Sequence, residues 1–363
     1  MSTEQLLIVT AQHEFADVAV TELRRLDEQL ERVEDLAPGV ILCSAPDVAR
    51  FMQKAAQERT QLLFTRHLAP VQRIVHLSNS EQDIGAIAVA IAHLPGFALL
   101  ERGTRFAVQT RFVQTDKSQG ERPYSSGQLN KVLAEALAEE TGAIESIKKP
   151  QVVISLLCTS RTGYLGISTV EENLSSWPGG ARHFAQTPEQ ISRAEFKLLE
   201  ALETFGVTLP SEGRALDLGA APGGWTRLLL EAGVRVVAVD PANLDPRIAK
   251  RKHLDHYRGY AENYLEIALN KHYKFNIIVN DMRMDAREAA RLLAKAAPCL
   301  RADGFVISVL KLPHAAPTIN PLITLREALG ILKAHYGIVQ ARQLFHNRQE
   351  VTLIAAQPLA GRA

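Results

Sequence analysis

The sequence is poor in cysteine. Its 363 residues include three, Cys43, Cys158 and Cys299, widely separated and odd in number. With no C-x-x-C pair, neither a disulfide framework nor a zinc cluster is expected, and buried free thiols are the better reading. Long apolar runs are also missing. Nothing approaches the roughly 20 residues of a membrane-spanning helix. The opening "MSTEQLLIVTAQHEF" has no basic segment leading into an apolar stretch, so no signal peptide is read there. A cytoplasmic protein without a membrane partner is expected. An excess of charge is absent too, with 41 Lys plus Arg against 40 Asp plus Glu. That excludes a protein coated in basic charge but leaves room for a local basic face. The dinucleotide fingerprint G-x-G-x-x-G does not occur, which disfavours a nicotinamide dehydrogenase. His253 and His256 are three apart with no third ligand in sight, so no metal is expected.

What is present is a chain long enough for two or three domains, ordinary in composition at 46% hydrophobic and 22% charged. The first half alternates short strands and helices. "LLIVTA", "GVILCSA", "TRFAVQTRFV", "QVVISLLC" and "TGYLGIST" read as strands. "EFADVAVTELRRL", "APDVARFMQKAA", "QDIGAIAVAIAHL" and "SSGQLNKVLAEALAEE" read as helices. One or two ferredoxin-like or related α+β modules are expected over residues 1–170. Residues 171–190, "EENLSSWPGGARHFAQTPEQ", are rich in Gly, Pro, Ser and polar side chains and read as a linker or surface loop.

Residues 191–363 read as α/β. "RALDLG", "VRVVAVD", "FNIIVND" and "GFVISVLK" are strands separated by helices. "IVQARQLF" and "EVTLIAAQ", joined by "HNRQ", form a hairpin. The expectation is a mostly parallel, Rossmann-like sheet of seven strands with helices on both faces and an antiparallel edge. Ligands in such sheets sit beyond the carboxyl ends of the strands. Asp217, Asp240, Asp281 and Lys311 fall at those ends.

"DLGAAPGGWT", from Asp217 onward, is the loop most suited to a ligand. Gly223 and Gly224 permit positive φ or close approach, while Pro222 stiffens the turn and removes a donor. No Lys or Arg lies between Asp217 and Trp225, which is poor for a polyphosphate. It suits a ligand bearing an ammonium and a carboxylate, with Asp217 near the cation and backbone N–H groups near the anion. Asp240 ends the next strand, where a carboxylate accepts from ribose hydroxyls. These features fit the two halves of S-adenosylmethionine, with Asp217, Gly219, Ala221, Pro222, Gly223, Gly224, Trp225, Asp240 and Asp281 as its cradle. Four residues far apart in sequence stand out beside it: Lys197 in "SRAEFKL", Asp281 in "VNDM", Lys311 in "SVLKLP" and Glu350 in "NRQEVTL". Each has a plain structural reading, as a solvated helix lysine, a helix cap, a strand-end lysine and an edge-strand glutamate.

With "SRAEFKL", "DLGAAPGGW", "NDM", the strand-end lysine and the last-strand glutamate in this order, the sequence resembles the FtsJ-like RNA ribose 2′-O-methyltransferases. The resemblance covers roughly residues 190–357. It implies a Lys-Asp-Lys-Glu tetrad, here Lys197, Asp281, Lys311 and Glu350, and methyl transfer from S-adenosylmethionine to a ribose 2′-hydroxyl of RNA. It also implies an acidic adenine contact in "YRGYAENY". Tyr260 and Glu262 both fit, and Glu262 is favoured because it accepts from an amino group. A narrower likeness within the family, carried by "TGYLGIST", "LKLP" and "ARQLFHNRQEVT", implies a cytidine of 23S ribosomal RNA, or of a precursor, as substrate. It further implies a THUMP-like RNA-binding region ahead of the catalytic domain. Two other readings are kept open: another RNA as substrate, such as tRNA or another rRNA site, and a non-catalytic RNA-binding ribosome-assembly protein. No protein partner is inferred.

Lys311 is the expected general base. Burial and Lys197 would lower its pKa, while Asp281 and Glu350 would raise it, and the sequence leaves that balance open. Arg105 and Arg111 in "TRFAVQTRFV", with Lys117 and Arg161, are the expected RNA-phosphate contacts, on a strand face that alternation also assigns to Gln109.

Overall fold

In the computed structural model, residues 5–113, 122–314 and 320–359 are described. The chain divides into two units, Met1–Arg182 and His183–Ala363. The expected linker at 171–190 spans this division. Its first part packs into unit 1, where Asn173 is fully buried and donates to the Leu68 carbonyl, and Leu174 joins the core.

Unit 1 begins with β1 (Gln5–Thr10), α1 (Ala16–Arg24), β2 (Glu31–Ala37), β3 (Val40–Ala45), α2 (Val48–Gln57) and β4 (His67–Val71). The antiparallel sheet has the order β2-β3-β1-β4, the ferredoxin-like βαββαβ arrangement. Successive residues of β1 serve opposite faces. Leu7 and Val9 pack with Val20, Phe51 and Met52 of the helices, whereas Ile8 packs with Ala69, Leu157 and Tyr164. Both faces are therefore buried, which is why "LLIV" is apolar throughout.

A second sheet follows. It is made by β5 (Arg73–His76), α3 (Gln82–Ala92), β6 (Arg105–Phe112), α4 (Ser126–Thr141), β7 (Ile144–Glu145), β8 (Val152–Cys158) and β9 (Thr162–Thr169), in the order β5-β9-β8-β6-β7. The α4 helix starts on a capping box, Ser125 with Gln128, and stops at Gly142 with φ 72°. Its Leu129, Leu133 and Leu137 bury against Phe106, Val108 and Ile154.

Unit 2 contains α5 (Glu195–Phe205), β10 (Arg214–Leu218), α6 (Gly224–Glu231), β11 (Arg235–Val239), the single turn α7 (Pro246–Ala249), β12 (Leu254–Tyr257) and α8 (Ala261–Asn270). It continues through β13 (Phe275–Asn280), α9 (Ala286–Ala296), β14 (Leu300–Lys311), α10 (Pro321–Lys333), β15 (Tyr336–Arg342) and β16 (Glu350–Pro358). The seven strands lie in the order β12-β11-β10-β13-β14-β16-β15. Neighbours from β12 to β14 pair in parallel, and β16 runs antiparallel to both β14 and β15. The strand order reverses direction between β10 and β13, the switch point at which α/β sheets open a crevice. The site is built there.

Candidate active site

The loop after β10 departs sharply from extended geometry. Gly219 has φ 75° and Gly223 φ 109°, conformations that strain any residue with a Cβ. Gly224 opens α6, where an added Cβ would lie 2.5 Å from Ser192 Oγ. Ala221 N donates to Asp240 Oδ2 at 3.0 Å, and Ala242 N donates to Asp240 Oδ1 at 2.8 Å. The half-buried Asp240 thus ties the β10 loop to the end of β11. Pro222 lies between Ala221 and Gly223 in the same loop. Trp225 is buried and its indole Nε1 donates to Ala194 O at 2.6 Å, so this side chain braces α6 against the start of α5.

Asp217 is 2% exposed, and its Oδ2 accepts from Thr226 Oγ1 at 2.6 Å. Burial pushes its pKa up to about 7; the Thr226 hydroxyl opposes this, and the charges of Asp281 and Asp240 add to it. Three carboxylates thus gather at neighbouring strand ends, and the deepest has no cation beside it among the described residues. A ligand carrying an ammonium and a sulfonium supplies that missing charge, so the residues present fit S-adenosylmethionine. Glu262 and Tyr260 both lie exposed at the N-terminal end of α8, and the structure brings neither in preference to the other.

The four separated residues meet. Lys311 ends β14 and stands directly opposite Glu350, the first residue of β16. Asp281 follows β13, and Lys197 sits in the first turn of α5. Lys311 Nζ donates to Asp281 Oδ1, and to Glu350 Oε1 at 2.8 Å. Lys197 Nζ lies 3.4 Å from both Asp281 oxygens and 2.7 Å from Glu350 Oε2, the latter an ion pair not aligned as a hydrogen bond. The four side chains are 16–20% exposed, so each ammonium is shared between two carboxylates with little water to screen them.

The balance left open by the sequence is resolved by this geometry. Burial pulls the Lys311 pKa down, but Asp281 and Glu350 outweigh it and hold it above the ordinary lysine value. Burial likewise pulls Glu350 up, and Lys311 and Lys197 overcome it and hold Glu350 below the ordinary carboxylate value. Lys311 is thus held as an ammonium beside Glu350 as a carboxylate.

Several supporting residues escaped sequence reasoning. Glu195, 1% exposed, accepts from the side chain of Arg227 and from Ile191 N at 2.8 Å. Glu200, 5% exposed, accepts from Phe345 N at 2.7 Å, His346 N at 2.9 Å and His346 Nδ1 at 2.7 Å. The first ties α5 to α6 behind the glycine loop, and the second ties α5 to the turn that leads into Glu350. Both therefore fix where Lys197 stands. A signal was available: "EFKLLEAL" places glutamates among the buried positions of a helix that also buries Phe196, Leu198 and Ala201.

The expected basic face in unit 1 is placed differently. Arg105 and Arg161 are exposed, and Lys117 lies outside the described residues. Arg105 Nε donates to Lys149 O at 3.0 Å. Arg111 is half-buried and Gln109 is only 6% exposed, so this end of the strand face is not solvated. It faces the first sheet, as its neighbour Leu157 shows by packing with Ile8 and Ala69.

The class comes from comparison at this point. Residues 190–312 match the family described as FtsJ-like methyltransferase, and over these residues the chain resembles that family. It also resembles proteins named ribosomal RNA large subunit methyltransferase M. The one from Halorhodospira halophila is 32% identical over 202 residues, 54% of this chain and 55% of that protein, so the match spans little more than half of the relative. The one from Haemophilus influenzae is 27% identical over 347 residues, 90% of this chain and 91% of that protein. TrmN from Thermus thermophilus, a solved structure, is 19% identical and covers 97% of this chain and 99% of its own with a TM-score of 0.41, too distant to bear on function.

Proposed function

We propose that the protein transfers a methyl group from S-adenosylmethionine to a ribose 2′-hydroxyl of RNA, with a cytidine of 23S ribosomal RNA or its precursor as substrate. The observation that carries this reading is the convergence of Lys197, Asp281, Lys311 and Glu350, from four separate elements, beside the Asp217 loop. A dinucleotide or purely RNA-binding role needs no such set. Unit 1 is read as a THUMP-like RNA-holding region, with Arg105, Arg161 and Lys117 toward the backbone.

When bound, S-adenosylmethionine supplies an electrophilic methyl carbon on a sulfonium. What the chain must do is align the hydroxyl and take its proton. As the 2′-oxygen accepts the methyl group, Lys311 Nζ would take the hydroxyl proton. Only the neutral amine can accept it. Asp281 and Glu350 hold the Lys311 pKa above the ordinary lysine value, so the free enzyme keeps it protonated at neutral pH. Asp281 and Glu350 hold Nζ in place, and Lys197 orients the ribose. The glycine loop, Asp217, Asp240, Asp281 and Glu262 hold the donor.

Two measurements test the reading. If Lys311 is the base, the single-turnover rate rises about tenfold per pH unit between pH 7 and 9; a flat profile there overturns the assignment. If Asp217 meets the donor's ammonium, binding converts a half-protonated carboxyl to its anion. Affinity then strengthens as pH rises from 6 to 7, and up to about one proton is released. Calorimetry in two buffers of different ionisation heat reads that proton, and Asp217→Asn should abolish its release.

A further inference from the structure

A cleft with mixed apolar and polar walls lies inside unit 1. Its walls include Thr10 and His67 from the first sheet and Gln109, Arg111, Ser155 and Tyr164 from the second, around about 410 Å³ of unfilled space that includes the mouth. Gln109 and Arg111 alternate onto the same face of β6, and Ser155 is the direct partner of Gln109 on β8. No carboxylate lines the cleft. Arg111 makes no ion pair or hydrogen bond with any described residue, and burial pulls its pKa below the ordinary arginine value. Its half-buried guanidinium is thus a charge without a counter-charge.

The groups around it are also unspent. His67, 3% exposed, has no partner at Nδ1. Gln109, 6% exposed, spends its amide N–H on Ser176 O at 2.7 Å and leaves Oε1 without a partner. Ser155 Oγ has none either. Thr10, by contrast, is committed, its hydroxyl donating to Gly179 O at 2.8 Å. Burial, with the charge of Arg111, holds the His67 pKa at about 3, so the ring is neutral at physiological pH and can donate from one nitrogen. Buried polar atoms without partners are rare because each costs the full desolvation of the group. Three unspent groups around one cation match an oxyanion with several oxygens.

We propose that this cleft binds a phosphate group, held by the Arg111 guanidinium, the Ser155 hydroxyl and a His67 N–H, with Gln109 Oε1 accepting in addition when the ligand is a phosphate that keeps a P–OH. The phosphate comes either from RNA or from solution. Binding of free phosphate is independent of the methyl-transfer reading, and only the RNA source rests on it.

The full-length protein is titrated with inorganic phosphate against chloride at constant ionic strength, following binding by calorimetry. The expected result is saturable binding in the wild type, weakened about tenfold or more in Arg111→Gln and about three- to tenfold in Ser155→Ala. Circular dichroism and urea unfolding report that both variants are folded. If Arg111→Gln does not fold, the wild-type titration and Ser155→Ala decide alone. The same proteins are then titrated with one RNA oligonucleotide carrying, or lacking, a 5′-phosphate. A preference for the phosphorylated form that Arg111→Gln removes assigns a terminal phosphate. Equal affinities, both weakened by Arg111→Gln, assign a backbone phosphate. RNA affinity unchanged by Arg111→Gln, with phosphate binding intact in the wild type, assigns free phosphate. Failure of inorganic phosphate to bind the wild type above the chloride control overturns the proposal. Failure of methyl transfer leaves this titration untouched and bears only on the reading of unit 2.

Discussion

Lys311→Ala is expected to lower single-turnover methyl transfer by about 10²–10⁴, the range that a positioned general base contributes, or about 3–5 kcal/mol of barrier. Affinity for S-adenosylmethionine should stay within about threefold, because Lys311 is not one of the residues that hold the donor. The alanine variant alone is ambiguous. It also removes a cation from between two carboxylates, and Lys311 is one of the two influences that hold Glu350 below the ordinary carboxylate value. Lys311→Arg separates the two effects. Arginine restores a cation between Asp281 and Glu350 but remains protonated at any usable pH. A base role predicts that Lys311→Arg is as slow as Lys311→Ala. A purely electrostatic role predicts recovery. A Lys311→Arg rate within about tenfold of the wild type would sink the base assignment while leaving the tetrad intact as an orienting device.

Unit 2 was legible because its polar residues interrupt apolar strands. "ALDLG", "VVAVD", "IIVND" and "ISVLK" each run apolar and then stop on a charge or a glycine, so a parallel sheet and its active edge appear in one dimension. Other parts were illegible for physical reasons. The β2 strand, "ERVEDLA", is a largely exposed edge whose charges keep neighbouring chains away and erase its alternation. The β12 strand has four residues and borders the sheet. Alternation along β6 correctly separates Gln109 and Arg111 from Phe106 and Val108. Period two alone cannot say whether the polar side meets water or another sheet, and here it meets another sheet. The stretch at 171–182 reads as loose from composition, yet Asn173 replaces a strand partner for Leu68. The tetrad's supports were hidden differently. Glu195 and Glu200 look like ordinary surface glutamates until Arg227 and the Phe345–His346 backbone are brought to them.

Arg227→Ala is expected to be the most destabilising of the simple substitutions in unit 2. The Arg227 side chain is 11% exposed and pairs with Glu195, whose side chain is 2% exposed; a second contact, to Glu231 at 2.7 Å, is far more open at 41%. Removing one member of a buried pair leaves the other charged and dry, at a cost of about 3–5 kcal/mol. The exposed Glu231 contact adds at most about 1 kcal/mol. The charge that matters is therefore Glu195, and that gives the prediction its control. The double substitution Glu195→Leu with Arg227→Met replaces both charges by apolar groups of similar reach. It should recover most of the loss, because the stranded carboxylate is gone. Urea unfolding of the two variants measures the difference, and equal midpoints would show that the pair is not coupled. Methyl transfer supplies an independent readout. Glu195 precedes Lys197 by two residues on α5 and also accepts from Ile191 N, so the double variant regains stability while losing the contact that anchors the lysine's helix to α6. A variant that folds like the wild type yet transfers methyl groups more slowly, with unchanged affinity for the donor, would place Glu195 and Arg227 as positioning residues for Lys197.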